Sequence, residues 1–310
     1  MKLDRTVFTF LTVTCMLTLV ALTGCPPPEP EVVEDVVDLD PPELEDIEIG
    51  VIDLIGSTTI QPIAEAWAVA YHEAHPGGEI NVAGGGSSSG ITALIHRATG
   101  IAMASREMSE EEIEQARENE VEPVGHVMAH DGIVPVVHPE NPATSLTFAQ
   151  LSDIFTGEVN SWSDIDVHGI PGDGMIVVVR DETSATHETW KQVVLGMDPG
   201  EERDYVPSEE QAASNLDVRR IVADNPSAIG YVGLGFVDDT VRAVPVVPGA
   251  GSDPVEATPE TVRDNSYPIS RDLYMYTDTE PESVIEAFLE WGRGSEGQAL
   301  VAEQGFVPLD

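Results

Sequence analysis

Short runs of β-branched residues alternate along most of the chain with segments whose apolar residues recur at helical spacing. Residues 47–55 and 79–83 are runs of the first kind and are typical of buried strands. Between them, residues 60–74 place Ile63 and Trp67 on one helical face. This alternation predicts an α/β protein with mixed or parallel sheets that helices cover on both faces.

The same pattern continues to the end of the chain. The further predicted strands are 101–104, 123–137, 175–179, 228–232, 242–247 and 273–276, and the further predicted helices are 91–98, 147–155, 185–195 and 281–291. Ser109 with Glu112, and Thr147 with Gln150, have the spacing of capping boxes, so each pair predicts the start of a helix.

The first 25 residues have the pattern of an export signal. Lys2 and Arg5 precede an apolar run over residues 7–22, which is short for a membrane span of roughly 20 residues. The run ends in Leu-Thr-Gly-Cys at positions 22–25, a pattern that resembles the bacterial lipobox. The resemblance implies cleavage of residues 1–24 and lipidation of Cys25. An ordinary signal peptide or an N-terminal anchor helix is the alternative.

Residues 25–48 predict a spacer rather than a fold. After Cys25 this segment is rich in proline and carries ten acidic residues and no basic one. Such a chain is extended at about 3.1 Å per residue, so it reaches roughly 70 Å from a bilayer. The other cysteine, Cys15, lies in the apolar run, so we expect no disulfide in the mature protein.

Charge excludes two classes of partner. Lysine and arginine number 14 against 56 acidic residues, which gives a formal net charge of −42. Nucleic acid and anionic membrane surfaces both require a positive protein surface, so neither is an expected ligand of the folded part. The near absence of lysine suggests a hydrated surface that tolerates salt.

Three turns rich in serine and threonine connect predicted strands to predicted helices. They are residues 56–59, 84–90 and 180–186. At a helix start the backbone N–H groups are unpaired and the helix dipole is positive, so an anion is stabilised there. Arg106 and Arg180 each follow a predicted strand and add planar donors that suit an oxyanion.

An ordered series of motifs resembles one family. The motifs are GSTT at 56–59, GGGSSSG at 84–90, MASR at 103–106, AHDGIV at 129–134, LSDIFTG at 151–157, RDETSAT at 180–186, NPSAIGY at 225–231 and GFVP at 305–308. Together they resemble the phosphate-binding proteins of bacterial phosphate ABC transporters, the PstS family. The resemblance extends from about residue 49 to residue 308.

The resemblance implies a two-lobed type 2 periplasmic-binding-protein fold, or Venus flytrap, with mixed sheets flanked by helices. The chain crossings are expected near 130–134 and 267–274, with one lobe at 49–130 and 267–310 and the other at 131–266. It implies a non-enzymatic, monomeric binding protein without cofactor that passes inorganic phosphate to an ABC permease.

The resemblance also implies the ligand residues. Those expected to bind phosphate are Thr58, Thr59, Ser87, Arg106, Arg180, Ser184, Ala185 and Thr186, and those expected to support them are Ser57, Ser89, Asp131 and Glu182. Ala185 stands where the family has glycine, at a helix start that accepts alanine. Glu182 matches an acidic position that orients the arginine.

One departure concerns selectivity. Some family members have an aspartate at the position of Arg106, and this aspartate accepts the proton of hydrogen phosphate and so rejects sulfate. Arginine cannot accept a proton. The hydroxyl groups of Thr58 or Ser87, or the carboxylate of Asp131, are the remaining acceptors. A general oxyanion binder and a phosphate sensor therefore remain alternatives to phosphate transport.

Other chemistry is weakly supported. Residues 86–90 match G-x-S-x-G, which predicts a secreted hydrolase with Ser88 as nucleophile, but no histidine is clearly placed as its base. His126 and His130 lie on a predicted strand about 13 Å apart, and the sequence has no cysteine cluster. We therefore expect no metal site.

Overall fold

The computed structural model describes residues 50–76, 78–171, 174–196, 204–206 and 211–309. The predicted leader at 1–24, Cys25 and the acidic segment up to residue 48 lie outside these residues. In the part that is described, no helix is both long enough and apolar enough to cross a bilayer.

Strands and helices alternate through the described residues. The strands are β1 (Val51–Gly56), β2 (Glu79–Ala83), β3 (Ile101–Ala104), β4 (Pro123–Val137), β5 (Leu146–Thr147), β6 (Ile176–Val177), β7 (Val179–Arg180), β8 (Gln211–Ala212), β9 (Ala228–Gly233), β10 (Arg242–Ala243), β11 (Val246–Val247) and β12 (Ser270–Asp278). The helices are α1 (Gln61–Ala74), α2 (Ser87–Ile95), α3 (Glu110–Glu118), α4 (Phe148–Thr156), α5 (Ala185–Trp190), α6 (Asn215–Asp224), α7 (Pro259–Arg263), α8 (Ser283–Arg293) and α9 (Ser295–Glu303).

One large mixed sheet organises the molecule. Its strand order is β2-β1-β3-β12-β4-β9-β6, with β10 also beside β4. Strand β1 is parallel to β2 and β3, whereas β12 is antiparallel to both β3 and β4. Helices α1 and α2 pack on the β1 end and α6 packs on β9. The predicted α/β architecture with a mixed sheet and flanking helices is therefore confirmed.

Strand β4 belongs to both halves of this sheet. From Pro123 to Gly132 it pairs with β12, and from Ile133 to Val137 it pairs with β9. Beyond β9 the sheet continues with β6, which is parallel to it. The change of partner falls inside the segment where the sequence predicts the first chain crossing.

An aromatic cluster joins α4, α5 and β9. Trp190 and Tyr231 stack with their ring centroids 4.5 Å apart and their planes 9° apart, and Phe155 packs edge-on against Trp190. All three side chains are buried. The hydroxyl of Tyr231 accepts a hydrogen bond from the backbone N–H of Arg180 at 3.2 Å, so this cluster sets the position of the arginine.

Several sequence predictions are confirmed to the residue. Strands β2, β3 and β4 have the predicted bounds. Both predicted capping boxes are present, with the side chains of Ser109 and Thr147 each accepting the N–H three residues later. Local chemistry is sufficient at these places because each signal is complete within a few residues.

Other predicted bounds are wrong. Helix α2 begins at Ser87 rather than at residue 91, because Gly86 ends the extended backbone and the serines occupy the first turn. The strand predicted at 175–179 divides into β6 and β7, which pair with different neighbours. The strand predicted at 242–247 divides at Pro245, whose nitrogen carries no hydrogen to donate to a ladder.

The predicted span of the helix at 185–195 is confirmed, with one change of hydrogen bonding inside it. The helix predicted at 185–195 changes from α-helical to π-helical hydrogen bonding at Lys191. Helices α6, α7 and α9 were not predicted. Of these, α6 matters most, because it delivers a side chain to the site described next.

Candidate functional site

Arg180 is a buried cation with a free donor. Its side chain is 1% exposed and lies at the end of β7. Its Nε donates to the carbonyl of Ala212 at 3.1 Å, and Nη2 donates to Thr58 Oγ1 at 3.1 Å and to the carbonyl of Ala213 at 3.2 Å. Nη1 is buried and has no hydrogen-bond partner among the described residues. Burial lowers the pKa of this guanidinium, since its charged form loses hydration, so an anion beside Nη1 would stabilise it.

The acid that accompanies Arg180 is Asp181 rather than Glu182. Asp181 Oδ2 lies 3.5 Å from Arg180 Nη2, and Asp181 Oδ1 accepts hydrogen bonds from both the N–H and the hydroxyl of Thr183. Glu182 is exposed, and none of the contacts found among the described residues joins it to Arg180. The turn leaves the Glu182 side chain exposed, so these contacts do not support the expectation that Glu182 orients the arginine, and that role stays a prediction.

Thr59 is the meeting point of the first and third turns. Its side chain is 1% exposed, and its Oγ1 lies 3.2 Å from Oγ1 of the fully buried Thr186. The same Oγ1 accepts hydrogen bonds from Asn215 Nδ2 at 3.0 Å and from Arg271 Nη2 at 3.4 Å. The structure thus brings together two predicted site residues and two that the sequence reasoning missed.

Asn215 is the first residue of α6. Its side chain is fully buried, and its Oδ1 accepts the N–H of Gly233 at 3.2 Å while Nδ2 faces Thr59. A signal for it was present in the sequence. Ser214 caps the helix through the N–H of Asp217, and Val218 and Val222 follow at helical spacing.

Arg271 had no such local signal. It lies on β12 and pairs with Asp131 on β4, where Asp131 Oδ2 accepts from Nε at 3.0 Å and from Nη2 at 2.8 Å. Asp131 is fully buried, and its Oδ1 accepts the N–H of Leu234 at 2.9 Å. Burial raises the pKa of the Asp131 carboxyl, and the guanidinium of Arg271 opposes that rise. Asp131 therefore holds Arg271, which in turn contacts Thr59.

Serines from the first turn, from the second turn and from the end of β3 form one cluster. Ser87 and Ser57 are 1% and 2% exposed. Ser87 Oγ accepts the N–H of Ser105 at 3.1 Å, and Ser57 Oγ donates to Ser105 Oγ at 3.0 Å. Ser105 is thus an unpredicted member of this cluster. Ser89, predicted to support the site, is exposed and donates instead to the carbonyl of Gly85 at 2.8 Å.

The second and third turns approach each other closely at a glycine. Gly86 has φ of +91°, and a Cβ built on it would lie 2.5 Å from the carbonyl oxygen of Thr183. Thr183 Oγ1 also donates to the carbonyl of Gly85 at 3.3 Å. A side chain at position 86 would therefore push the two turns apart.

Helix α5 begins at the third turn. Ser184 is its N-cap, and the serine Oγ accepts the N–H groups of Thr186 at 3.2 Å and His187 at 3.4 Å. Ala185 is 2% exposed and fits within the first turn, as expected for alanine at a helix start. The predicted residues Ser184, Ala185 and Thr186 are all buried, and Thr186 contacts Thr59.

Arg106 is engaged by two carboxylates. Its Nη1 lies 2.7 Å from Glu112 Oε2 and its Nε lies 2.7 Å from Glu188 Oε2, while Nη2 donates to Ser88 Oγ at 3.2 Å. Burial alone would lower the pKa of Arg106, but the two carboxylates raise it. Its predicted role as a phosphate ligand stays a prediction.

The rival chemistries find little support in the geometry. Ser88 Oγ accepts its hydrogen bond from Arg106, and across the described ranges no histidine is hydrogen-bonded to Ser88. Within those same ranges, no cluster of three histidine, cysteine or acidic side chains is arranged to hold a metal ion.

The chain was compared with known proteins. A family model, the PBP superfamily domain, matches residues 42–293. The chain belongs to the PBP superfamily. Curated relatives within it include the phosphate-binding protein PstS of Borreliella burgdorferi, 28% identical over 84% of this chain and 90% of that protein. PstS of Bacillus subtilis is also 28% identical, over 84% of this chain and 81% of that protein.

Solved structures of proteins of phosphate transport are similar to this chain. A substrate-binding protein assigned to phosphate ABC transport in Clostridium perfringens, solved with bound phosphate, is 31% identical with a TM-score of 0.74. The match covers 84% of this chain and 100% of that one. A phosphate transport receptor from Vibrio cholerae is 27% identical with a TM-score of 0.64, over 83% and 100% of the two chains.

These comparisons confirm the resemblance to the PstS family and the type 2 periplasmic-binding-protein fold. They also confirm the prediction that the chain is not an enzyme, because the family consists of binding receptors.

Proposed function

We propose that this protein captures inorganic phosphate between two lobes outside the cytoplasm and delivers it to an ABC permease. The observation that carries the proposal is the buried Arg180, whose Nη1 has no hydrogen-bond partner among the described residues. The relatives reported above, which are phosphate-binding or phosphate-transport proteins, support the same ligand.

The donors around Arg180 suit a tetrahedral oxyanion. Arg180 donates to Thr58, and the neighbouring Thr59 is hydrogen-bonded to Thr186, Asn215 and the second guanidinium, that of Arg271. Charge-assisted hydrogen bonds from arginine are the stronger kind, and the start of a helix adds N–H groups. This set attracts a dianion in spite of the negative net charge of the chain.

The proposed lobes are residues 49–130 with 267–310 and residues 131–266. Strand β4 passes from one to the other where it changes partner from β12 to β9. In this division Thr58 and Thr59 belong to the first lobe, and Arg180 and Thr186 to the second. An ion held by both sets favours the closed state, so binding and closure are coupled.

The proposed location rests on the N-terminal pattern. Lipidation of Cys25 would anchor the protein to the outer face of a membrane, with residues 26–48 as the spacer. We propose a monomer that meets its permease from that position.

The test is calorimetric titration of the protein with phosphate and then with sulfate, after bound anion has been removed by unfolding and refolding. We expect submicromolar phosphate binding and sulfate binding weaker by about a thousandfold, or roughly 4 kcal/mol. Absence of phosphate binding would contradict the proposal. Transport in vesicles that carry the permease then tests delivery, and mass spectrometry of the N-terminal peptide tests lipidation of Cys25.

A second candidate, a general oxyanion binder, is favoured by one observation. Both oxygens of Asp131 are already occupied, by Arg271 and by the N–H of Leu234. Rejection of sulfate would then depend on hydroxyl acceptors such as those of Thr58 and Ser87. Equal binding of phosphate and sulfate would support this candidate, whereas strong preference for phosphate would exclude it.

A further inference from the structure

A second cavity lies away from the oxyanion site. Its volume is about 600 Å³, within the range of pockets that hold small molecules. It is bounded by the loop that follows β4, by β10 and by the segment before α7. Its walls are mainly apolar and include Val134, Pro142, Val244 and Ala257.

Arg242 supplies a positive charge at this cavity. Its Nη2 donates to the carbonyl of Asn141 at 2.6 Å and to the carbonyl of Ala143 at 2.7 Å, which fixes the guanidinium against the loop. In the described part of the chain no carboxylate lies within ion-pair distance of Arg242. That is unusual in a protein with 56 acidic and 14 basic residues. Because only Nη2 donates to the loop, Nε and Nη1 remain for another acceptor.

Asn141 supplies a second donor beside the first. Its side chain is 3% exposed, and its Oδ1 accepts the N–H of Ala143 at 3.0 Å. Its Nδ2 is buried and has no hydrogen-bond partner among the described residues. A buried amide N–H without a partner is costly, so a group that accepts its hydrogen bond would be stabilised there.

The two donors and the apolar walls specify one kind of ligand. A guanidinium and an amide N–H together recognise a carboxylate, and walls of valine, proline and alanine accept a short aliphatic tail. Glu256 is exposed at the rim of the cavity, where its charge suits an ammonium group. We propose that this cavity binds a small aliphatic carboxylate, as a simple acid or as an amino acid.

The test uses isovalerate and leucine as probes. Each is titrated into the full-length, ¹⁵N-labelled protein in saturating phosphate, and the side-chain amide signal of Asn141 is followed by NMR. Phosphate keeps the oxyanion site filled, so a saturable shift at Asn141 reports the second cavity. Tighter binding of leucine would indicate that Glu256 contacts the ammonium, and tighter binding of isovalerate would indicate a simple carboxylate ligand. Either result supports the proposal.

Two variants separate binding from folding. Asn141→Asp keeps the acceptor for the N–H of Ala143 but replaces the donor with a negative charge, and Arg242→Gln removes the positive charge. We expect both variants to bind the probes more weakly by about tenfold or more in calorimetric titration. Each variant loses a charge-assisted contact with the carboxylate of the probe. Asn119→Asp and Arg117→Gln, both on exposed side chains, are the matched controls and should bind like the unaltered protein.

Three results would overturn the proposal. The first is the absence of any shift at Asn141 with either probe. The second is equal binding of the neutral isovaleramide, because it would show that charge is not recognised. The third is unchanged affinity of the Asn141→Asp and Arg242→Gln variants. Phosphate titrations of the same variants give an independent check on folding, because none of the altered residues contacts the oxyanion site.

Discussion

At the scale of single residues, Arg180 should dominate phosphate affinity. It is a buried cation whose Nη1 has no hydrogen-bond partner within the described part of the chain, and its removal leaves the incoming anion without its main counter-charge. We expect Arg180→Gln to weaken phosphate binding by about a hundredfold or more, roughly 2.8 kcal/mol, in calorimetric titration. Arg97→Gln, which removes an exposed arginine paired with Asp278, is the control. An affinity within a few-fold of the unaltered protein would contradict the assignment.

The two acids that follow Arg180 should differ. Asp181 lies beside the guanidinium and also holds Thr183, whereas Glu182 is exposed. We expect Asp181→Asn to lower phosphate affinity about tenfold, because the arginine loses a partner that orients it. Glu182→Gln should leave affinity unchanged. The reverse order in the same titrations would restore Glu182 to the role that the sequence suggested for it.

At the scale of elements, the N-cap of α5 shapes the third turn. Ser184 accepts the N–H groups of Thr186 and His187. We expect Ser184→Ala to destabilise the protein by about 1 kcal/mol, which lowers the melting temperature by about 2–4 °C. It should also weaken phosphate binding. Ser109→Ala, at the N-cap of α3, should cost similar stability and leave affinity intact. Equal effects of both variants on affinity would show that the cap acts only through global stability.

An ion pair between elements should stabilise the closed cleft. Glu188 on α5 contacts Arg106, which follows β3 and is also held by Glu112. Since Glu188 is partly exposed, we expect only an about threefold loss of affinity for Glu188→Gln, expressed as faster phosphate release in stopped-flow experiments. Glu286→Gln on α8 is the control. A change in the association rate alone would indicate long-range attraction or repulsion instead of a contact that forms on closure.

The sequence predicts elements well where the signal is local. The capping boxes at Ser109 and Thr147 are complete within four residues, and the strand at 123–137 is a continuous run rich in β-branched residues; all three are confirmed. Strand 175–179 was predicted wrongly because an apolar run does not reveal which neighbours it will pair with. Helix α6 was missed although Ser214 and Asp217 carry a capping signal.

The candidate site likewise contains residues that local sequence patterns predict and residues that they do not. Thr58, Thr59, Arg180 and Thr186 lie in recognisable turns after strands. The structure brings Arg180 to Thr58 and Thr186 to Thr59. Arg271 depends on a partner 140 positions away in the sequence, and no local pattern announces that contact. Local sequence patterns therefore predict the turns of the site but not the long-range pair of Asp131 and Arg271.

At the scale of the whole molecule, the net charge opposes the ligand. A formal charge of −42 repels a phosphate dianion as it approaches, whereas the donors around Arg180 act only at short range. Salt screens the distant charges, with a screening length of about 30 Å at 0.01 M and about 8 Å at 0.15 M. The buried contacts are screened far less. The association rate should therefore rise with ionic strength while the dissociation rate changes little.

The measurement is stopped-flow phosphate binding between about 0.01 M and about 0.15 M sodium chloride. The signal is tryptophan fluorescence, and among the four tryptophans Trp190 stacks on the tyrosine that holds Arg180. A variant with Glu110, Glu111 and Glu114 changed to glutamine is the control. These exposed residues of α3 contribute to the negative electrostatic field, and changing them leaves the capping glutamate, Glu112, in place. Its association rate at low salt should be higher and its salt dependence shallower. An association rate that falls as salt is added would mean that local attraction extends to the approach path, and that the global charge does not govern capture.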